Sequence, residues 1–448
     1  MTTPDTLKKT TNVIRNFATL KISSIGILVI VLLIPTSMIS SLMKERQARR
    51  NSVVKEINQK WGNSQTITGP FFTVPYKSFY KGKNDKIQYN ICYLHILPVK
   101  LEISGEINPK VRYRSIYETV LYNIRLNLNG NFIIPTFKQL NIDLENVLWN
   151  QAVFSIGITD MRGIKENIVI KFNGIEYKAS PGLKTTDIAL SGVTSVIPLS
   201  FEGKNNFFTF QLNLNGSELI HFTPVAESTN VNITSNWPSP SFNGSFLPTK
   251  RKINEKGFSA DWKILHLNRN YPQYWTGNRH KVNQSSFGLK LLITANVYQK
   301  SMRIAKYAIM FIIFTFAAFF LSEIINKNRV HPIQYFLIGL GIILFYVLLL
   351  SISEHISFNS AYLLSALAIT FLITGYSQGI LKSYYFTFTL FGILAVLYFY
   401  LYIVLQLEDY ALIMGSIGLL FVLSTVMYVT RKIDWYSLNN DTQGKDKI

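Results

Sequence analysis

The sequence predicts a membrane protein with six α-helical transmembrane spans and a large, mainly β extracytoplasmic domain of sandwich type. Two features predict this class. Uncharged apolar runs lie near both ends of the chain, and they raise its mean hydropathy to +0.18. Between them lies a long polar region in which apolar and polar residues alternate with a period of two, as in half-buried antiparallel strands.

The apolar run Ile333–Ile352 fixes the orientation of the predicted helices. It carries no charge, and about 20 residues at ~1.5 Å each span the ~30 Å hydrocarbon layer of a bilayer. Lys327 and Arg329 precede this run, whereas Glu354 and His355 follow it. Because basic residues of short loops stay in the cytoplasm, we expect this helix to start inside and to end outside.

The other short loops agree with this orientation, since those predicted to lie outside contain no Lys or Arg. The predicted topology is therefore N-in and C-in. The predicted spans are 22–43, 307–325, 333–352, 358–376, 384–405 and 410–430. The predicted segments are a cytoplasmic tail at 1–21, a transmembrane signal anchor at 22–43, an extracytoplasmic mainly β domain at 44–303, a five-helix transmembrane bundle at 304–430 and a cytoplasmic tail at 431–448.

The first span allows two interpretations. A cleaved signal peptide is the alternative, but the apolar run is too long for one and ends without a small-x-small cleavage pattern, so we expect an uncleaved anchor. One conflict remains, because four basic residues follow this span on the predicted outer side. Long translocated domains are largely exempt from the charge rule, so the short loops decide the orientation. The four residues are Lys44, Arg46, Arg49 and Arg50.

Three segments of the polar region alternate clearly between apolar and polar residues, which predicts strands. The motif Leu-Asn-Leu-Asn-Gly occurs twice, at Leu126–Gly130 and at Leu212–Gly216. Two related β subdomains would explain this repeat, and so would chance, since strand-turn patterns recur easily. The alternating apolar residues are Ile87, Tyr89, Ile91 and Tyr93; Tyr122, Ile124, Leu126 and Leu128; and Phe208, Phe210, Leu212 and Leu214.

The net charge of +20 has two interpretations. In a soluble protein it would suggest a nucleic-acid partner, but no nucleic-acid motif is present. Several of the basic residues lie beside apolar spans, where they set topology and meet anionic lipid headgroups, so we expect the lipid bilayer and no nucleic acid as a partner. Cys92 is the single cysteine, which excludes an intramolecular disulfide.

The predicted bundle favours close helix packing over ion transport. The interiors of its last four spans contain no Asp, Glu, Lys, Arg or His, and pumps and ion-coupled transporters normally need such residues. Gly339 and Gly341 are typical of helices that approach each other closely.

Charged residues converge at the predicted outer ends of the bundle helices. One interpretation is a metal or proton-sensing site, since histidine and carboxylates are suitable ligands. The other, which we favour, is a set of ion pairs that lock the helices together, so we expect no metal and no cofactor. These candidate outer-rim residues are Arg303, Lys306, Glu354, His355, Glu408 and Asp409.

No pattern of catalytic residues occurs in the sequence. The histidines lack HExxH spacing, and no Gly-x-Ser-x-Gly, Walker or paired-cysteine zinc motif is present. Cys92 lies among aromatic residues of a predicted strand, which favours packing over nucleophilic catalysis. We therefore predict a protein that is not an enzyme, with an envelope hydrolase as the weaker alternative.

One loop of the polar region is rich in proline and aromatic residues. It is either a rigid aromatic surface that binds a partner or a loop that packs its own rings into the domain. We treat it as the candidate partner-binding loop. Its residues are Trp237, Pro238, Pro240, Phe242, Phe246 and Pro248.

Several short motifs, in order along nearly the whole chain, resemble the CreD family of bacterial inner-membrane proteins, known for cell envelope integrity. The resemblance implies an inner-membrane location, the same arrangement of anchor, domain and bundle, and a role in envelope homeostasis. In that family the role is tied to a two-component regulatory system and to tolerance of toxins such as colicins. It implies no catalytic residues. The motifs are Lys44-Glu-Arg46, Gly69-Pro70, Thr234-Ser-Asn-Trp-Pro-x-Pro-Ser-Phe-x-Gly-x-Phe-Leu-Pro248, Lys306-Tyr-Ala308, Phe319-Phe320, His331-Pro-x-Gln-Tyr335, Ser353-Glu-His355 and Asp434-Trp-Tyr436.

From residues and resemblance together we expect a non-enzymatic protein whose outer domain binds an envelope protein or the cell wall. The alternative is a transporter or flippase of a lipid-like substrate, which need not use buried charges. The sequence leaves the oligomeric state open.

Overall fold

The computed structural model describes residues 17–81, 86–134, 142–199, 205–293, 297–326, 330–381, 383–406 and 411–431. The chain divides into two compact units. The helical unit contains residues 1–49 and 295–448, and the β unit contains residues 50–294.

Helix α1 runs without interruption from Phe17 to Trp61, whereas the sequence predicted a span at 22–43 and the mainly β domain from residue 44. The reason is local, because no glycine or proline lies between Pro35 and Trp61 to end the helix where the apolar run gives way to charge. The helix ends at Gly62, whose φ of +140° suits glycine alone.

The remaining helices lie in the helical unit. Tyr307 separates α2 from α3 at a bend of 46°, so the predicted span 307–325 begins at a break. Within the described residues, four helices (α1, α4, α5 and α6) are long and apolar enough to cross a membrane, and the bent pair α2–α3 makes a fifth if it is one span. The sixth predicted span is not confirmed, since the apolar part of α7, Ile413–Thr425, is shorter. The helices are α2 Val297–Lys306, α3 Ala308–Asn326, α4 Pro332–Ser353, α5 Phe358–Leu381, α6 Tyr384–Gln406 and α7 Ala411–Thr430.

The β unit consists of two mixed sheets, and its mainly β character is confirmed. The first sheet has the order β13-β17-β11-β1-β5-β9-β8, with β2 paired to β1 and β16 paired to β2; the second has the order β14-β15-β12-β3-β4-β10-β6-β7. The strands are β1 Gln65–Lys81, β2 Ile87–Ile96, β3 Lys100–Arg114, β4 Tyr117–Phe132, β5 Val153–Ile158, β6 Val169–Phe172, β7 Ile175–Lys178, β8 Ser180–Pro181, β9 Gly192–Val196, β10 Asn206–Ser217, β11 Leu219–Thr223, β12 Ser228–Ser235, β13 Pro240–Gly244, β14 Lys250–Asn254, β15 Gly257–Leu265, β16 Tyr274–Thr276 and β17 Phe287–Leu291.

The core of the β unit forms where side chains of the two sheets meet. The ring of Phe72, on β1 of the first sheet, lies 4.8 Å from that of Phe132 and 5.6 Å from that of Phe172, both on the second sheet. These edge-to-face contacts are buried and favourable for aromatic pairs. The two sheets therefore share one core, as in a sandwich.

The repeated Leu-Asn-Leu-Asn-Gly motifs lie on neighbouring strands of one sheet. Leu126 on β4 is directly opposite Leu212 on β10 in an antiparallel pair. Both motifs thus belong to one compact unit, and the structure gives no division into two β subdomains.

The end of α1 is fixed to strands of the β unit by several polar contacts. The Trp61 indole N–H donates to the Tyr122 carbonyl at 3.2 Å, and the Asn63 backbone N–H donates to Asp160 Oδ2 at 2.9 Å. Hydrogen bonds from the Arg162 guanidinium hold the pKa of Asp160 at about 2. Asp160 is therefore ionised at neutral pH and secures the chain where the helix gives way to β1.

Candidate functional site

The candidate partner-binding loop lies where the two sheets of the β unit reach their edges. β13 lies at one edge of the first sheet and β14 lies at one edge of the second, and the loop includes β13 with the turns on either side. Trp237 and Pro238 precede β13, Pro240 and Phe242 lie on β13, and Phe246 and Pro248 connect β13 to β14.

The phenylalanines of this loop pack against the domain's own core. The ring of Phe242 lies 5.7 Å from that of Trp262, and the ring of Phe246 lies 6.0 Å from that of Phe287. The Trp262 indole N–H donates to the Phe246 carbonyl at 3.3 Å. These contacts hold the loop on the domain, as the self-packing interpretation expects.

Trp237 fixes the start of the same loop. Its side chain is half-buried, and its indole N–H donates to the Leu292 carbonyl at 3.2 Å. The Ser235 hydroxyl accepts from the Trp237 backbone N–H at 3.3 Å. Tryptophan thus acts here as an internal support, and whether the loop also binds a partner remains a prediction.

The end of the loop and the strand β14 that follows it form an exposed surface that is apolar and basic. Leu247 is 66% exposed, and every residue of β14 is exposed, including the consecutive cations Lys250, Arg251 and Lys252. Pro238 is exposed, while Pro240 and Pro248 are half-buried. We call Leu247, Lys250, Arg251, Lys252 and Ile253 the edge surface.

One acidic residue lies beside the edge surface. Asp261 lies opposite Lys250 in the strand register, and its carboxylate accepts a hydrogen bond from Asn232 at 2.5 Å. The edge surface itself contains three cations and no acidic residue. Its combination of exposed leucine, exposed isoleucine and three cations suits an anionic ligand that also has apolar parts.

The structure describes four of the six predicted outer-rim residues. Glu354, which caps the end of α4, accepts a hydrogen bond from the Tyr298 hydroxyl at 3.0 Å. Lys306 and His355 are exposed, and Arg303 is half-buried on α2. Glu408 and Asp409 lie outside the described residues. No group of three or more His, Cys, Asp and Glu side chains suited to a metal ion occurs in the described part of the chain.

A buried ion pair in the helical unit was not predicted as a pair. Lys21 donates from Nζ to Glu323 Oε1, and also to the Val330 carbonyl at 3.0 Å. Glu323 accepts further hydrogen bonds from the Val330 backbone N–H at 3.2 Å and from the Tyr335 hydroxyl at 3.0 Å. The network joins α1, α3 and α4. The one sequence signal was that both residues stand at ends of apolar runs.

A second unpredicted cluster lies in the β unit around His95. His95 Nδ1 lies 3.2 Å from Thr73 Oγ1, and His95 Nε2 lies 2.9 Å from Asp187 Oδ2. Burial lowers the pKa of His95, and Asp187 opposes that shift only in part. Hydroxyl, imidazole and carboxylate follow the order found in hydrolase triads, but Thr73 is buried in the sheet, where a substrate has no access. The cluster ties β1, β2 and the Asp187 loop together.

Comparison with known proteins identifies the family. The family model described as inner membrane protein CreD matches residues 18–436. The chain belongs to the CreD family. The inner membrane protein CreD of Escherichia coli (strain K12) is 31% identical over 427 residues, which cover 94% of this chain and 94% of that protein.

Membership in the CreD family confirms the resemblance stated from the short motifs. Together with the four or five long apolar helices of the described chain, it makes this a multi-pass inner-membrane protein with a large β unit.

Proposed function

We propose that this chain contributes to the integrity of the cell envelope as a non-enzymatic inner-membrane protein whose periplasmic β unit binds an envelope partner. The proposal includes six spans with both termini in the cytoplasm. The charge distribution of the short loops supports it, because Lys327, Arg329 and Lys382 fall on one side and Glu354 and Glu408 on the other.

The edge surface is the observation that carries the proposal. Lysine and arginine on an edge strand discourage pairing with other strands, and that effect alone would account for the cations of β14. It does not account for Leu247, nor for Ile253, which is 47% exposed beside them. Apolar side chains next to cations favour a partner that the edge surface recognises through the partner's own side chains or anionic groups. An envelope protein or the cell wall would be such a partner.

The internal contacts of the loop prepare this surface for binding. Phe242, Phe246 and Trp237 are held by the domain, so Leu247 is presented on an ordered segment. An ordered binding loop loses less conformational entropy on association than a flexible one. In this proposal, Phe242, Phe246 and Trp237 support the loop, and the residues of the edge surface contact the partner.

Photocrosslinking of the full-length protein in cells tests the proposal. A photoreactive amino acid replaces Leu247, and as a matched control it replaces Leu190, an exposed leucine of the same unit that is 85% exposed. We expect a discrete crosslinked product from position 247 and none from position 190. Equal products from both positions, or none from either, would contradict binding at the edge surface.

Charge reversal gives an independent readout. The double variant Arg251→Glu/Lys252→Glu changes exposed side chains only, so we expect it to fold and insert normally. We expect it to fail to restore envelope integrity in a strain that lacks the protein, while Lys171→Glu/Lys184→Glu, two exposed lysines of the same unit, restores it. Full restoration by both variants would argue against the edge surface.

A transporter or flippase of a lipid-like substrate is the second candidate function, and one observation favours it. Several hydroxyls buried in the helical unit have no hydrogen-bond partner within the described residues, and such hydroxyls are available to bind a polar group of a substrate. A lipid-scrambling assay in proteoliposomes distinguishes the two functions, since a binding protein gives no scrambling above empty vesicles. The hydroxyls belong to Ser301, Thr315, Tyr346, Ser365, Thr374 and Tyr398.

A further inference from the structure

Strands β1 and β2 continue past the sandwich as a two-stranded ribbon. Their pairing runs from Lys77 opposite Ile91 to Lys81 opposite Ile87. The pairing of β1 with β5 ends at Thr73, and that of β2 with β16 ends at Leu94, so within the described residues the ribbon has no third strand. We call residues 77–81 and 86–91 the arm.

One face of the arm is apolar and carries two lysines. Directly paired residues of antiparallel strands share a face, and successive residues alternate between faces. The register therefore separates two sets. The first face carries Lys77, Phe79, Lys81, Ile87, Tyr89 and Ile91, and the second carries Ser78, Tyr80, Gln88 and Asn90.

The apolar face is exposed, which the sequence pattern did not predict. Ile87 is 74% exposed, and Phe79, Tyr89 and Ile91 are between 43% and 52% exposed. The alternation in β2 resembles that of a half-buried strand, but no other part of the described chain covers this half of it. A two-stranded ribbon on its own is marginally stable, so an apolar face of this kind favours a second surface against which it packs.

Three side chains on this face contact one another. The rings of Phe79 and Tyr89 have centroids 5.8 Å apart, and Lys77 Nζ lies 5.1 Å from the centre of the Tyr89 ring. The Lys77 ammonium group thus lies over an aromatic ring of the same face, in a cation–π contact. Lysine and tyrosine each combine an apolar body with a polar tip, which suits both residues to a membrane–water interface.

The positive charge of the arm indicates which kind of ligand it binds. The described residues of the arm include Lys77, Lys81 and Lys86 and no Asp or Glu. A second copy of the arm would bring like charges together, so self-association is disfavoured. An anionic surface that accepts apolar side chains over a broad, flat area fits this face, and anionic lipid headgroups attract each nearby lysine.

We propose that the apolar face of the arm docks on the surface of a bilayer that contains anionic phospholipid. This inference goes beyond the proposed function, because it concerns a different surface and a different ligand. It does not depend on the edge surface, and it is tested with purified components that include no protein partner.

Site-specific fluorescence on the full-length protein provides the test. Cys92 is the single cysteine, so a Cys92→Ser background accepts one new cysteine at Ile87 on the apolar face or at Gln88 on the opposite face. Each variant is labelled with a polarity-sensitive dye and reconstituted into vesicles of phosphatidylcholine, with or without phosphatidylglycerol. We expect a blue shift and quenching by brominated lipid at position 87 in the anionic vesicles, and neither at position 88.

The lysines are tested in the same preparation. Lys77→Glu/Lys81→Glu should abolish the blue shift at position 87, because two attractive charges become repulsive. The control Lys171→Glu/Lys184→Glu makes the same change in net charge elsewhere on the unit and should leave the shift intact. Circular dichroism melting checks that each variant is folded.

Three results would overturn the inference. They are an unshifted dye at position 87 in anionic vesicles, equal shifts at positions 87 and 88, and a shift at position 87 that survives the reversal of both lysines. The first result would point to a protein ligand for the arm, and it would leave the edge-surface crosslinking result unaffected.

Discussion

Lys21 and Glu323 form an ion pair between α1 and α3, although 302 residues separate them in the chain. The two side chains keep only 14% and 10% of their surface exposed. Buried charges are tolerated when they are paired and their remaining hydrogen bonds are made, and Val330 and Tyr335 complete the set here. The pair therefore holds the first span against the helices that follow the β unit in sequence.

Removal of one partner of this pair should destabilise the helical unit. Glu323→Gln leaves the Lys21 ammonium buried without a counter-charge, and we expect a loss of about 3 kcal/mol in the free energy of unfolding. The measurement is unfolding of the purified full-length protein in mixed micelles. The double variant Lys21→Met/Glu323→Leu removes both charges and should recover much of the loss. Equal stability of Glu323→Gln and the unsubstituted protein would show that the pair contributes nothing.

Close approach at Gly339 gives a second prediction. A Cβ atom at this position would lie 3.1 Å from Phe316 Cζ and would also collide with the Leu32 side chain on α1. Gly339→Val should therefore lower stability by about 1–3 kcal/mol, the usual cost of overpacking. Gly375→Val is the matched control, because nothing lies within 4 Å of a Cβ there. Thermal melting in detergent compares the two, and equal melting temperatures would refute a close contact at Gly339.

The His95 cluster makes the stability of the β unit depend on pH. Because burial lowers the pKa of folded His95 below its unfolded value of about 6.5, the unfolded chain binds more protons in the interval between the two values. Stability is then full above about pH 6.5 and falls as the pH drops through the unfolded and then the folded pKa. Thermal melting at a series of pH values measures this fall.

The variant His95→Gln isolates that contribution. Its hydrogen-bonding side chain does not titrate, so the fall in melting temperature below about pH 6.5 should be smaller than in the unsubstituted protein. Asp187 is the charged group that faces the ring, and Thr73 and Trp275 complete its surroundings. Identical pH profiles for the two proteins would exclude His95 as the titrating group.

Local patterns of the sequence predicted much of the fold. The uncharged run Ile333–Ile352 predicted helix α4. The alternation of apolar and polar residues predicted strands β4 and β10 to within a few residues. These predictions succeeded because a helix or a strand with one buried face repeats its apolar residues with a period of 3.6 or 2 residues in the sequence itself. The continuity of α1 through Trp61 was missed because a change of composition was interpreted as a change of element.

Features that depend on distant residues were not predictable from one sequence. Lys21 and Glu323, like His95 and Asp187, meet only after the chain folds, and neither residue of either pair carries a local mark of its partner. Alternation also does not reveal what covers a face, which is why β2 appeared half-buried although the arm is exposed. The candidate loop was found from composition, but its division into supporting rings and an exposed Leu247 needed the structure.

The proposed location of the β unit outside the cytoplasm is tested most directly by cysteine accessibility in spheroplasts. In the Cys92→Ser background, single cysteines replace Lys184, an exposed residue of the β unit, and Asn328, in the short loop between the predicted second and third spans. We expect a membrane-impermeant maleimide to label position 184 in intact spheroplasts and position 328 only after lysis. Labelling of position 328 in intact spheroplasts, with position 184 protected until lysis, would contradict the topology and with it a periplasmic binding role.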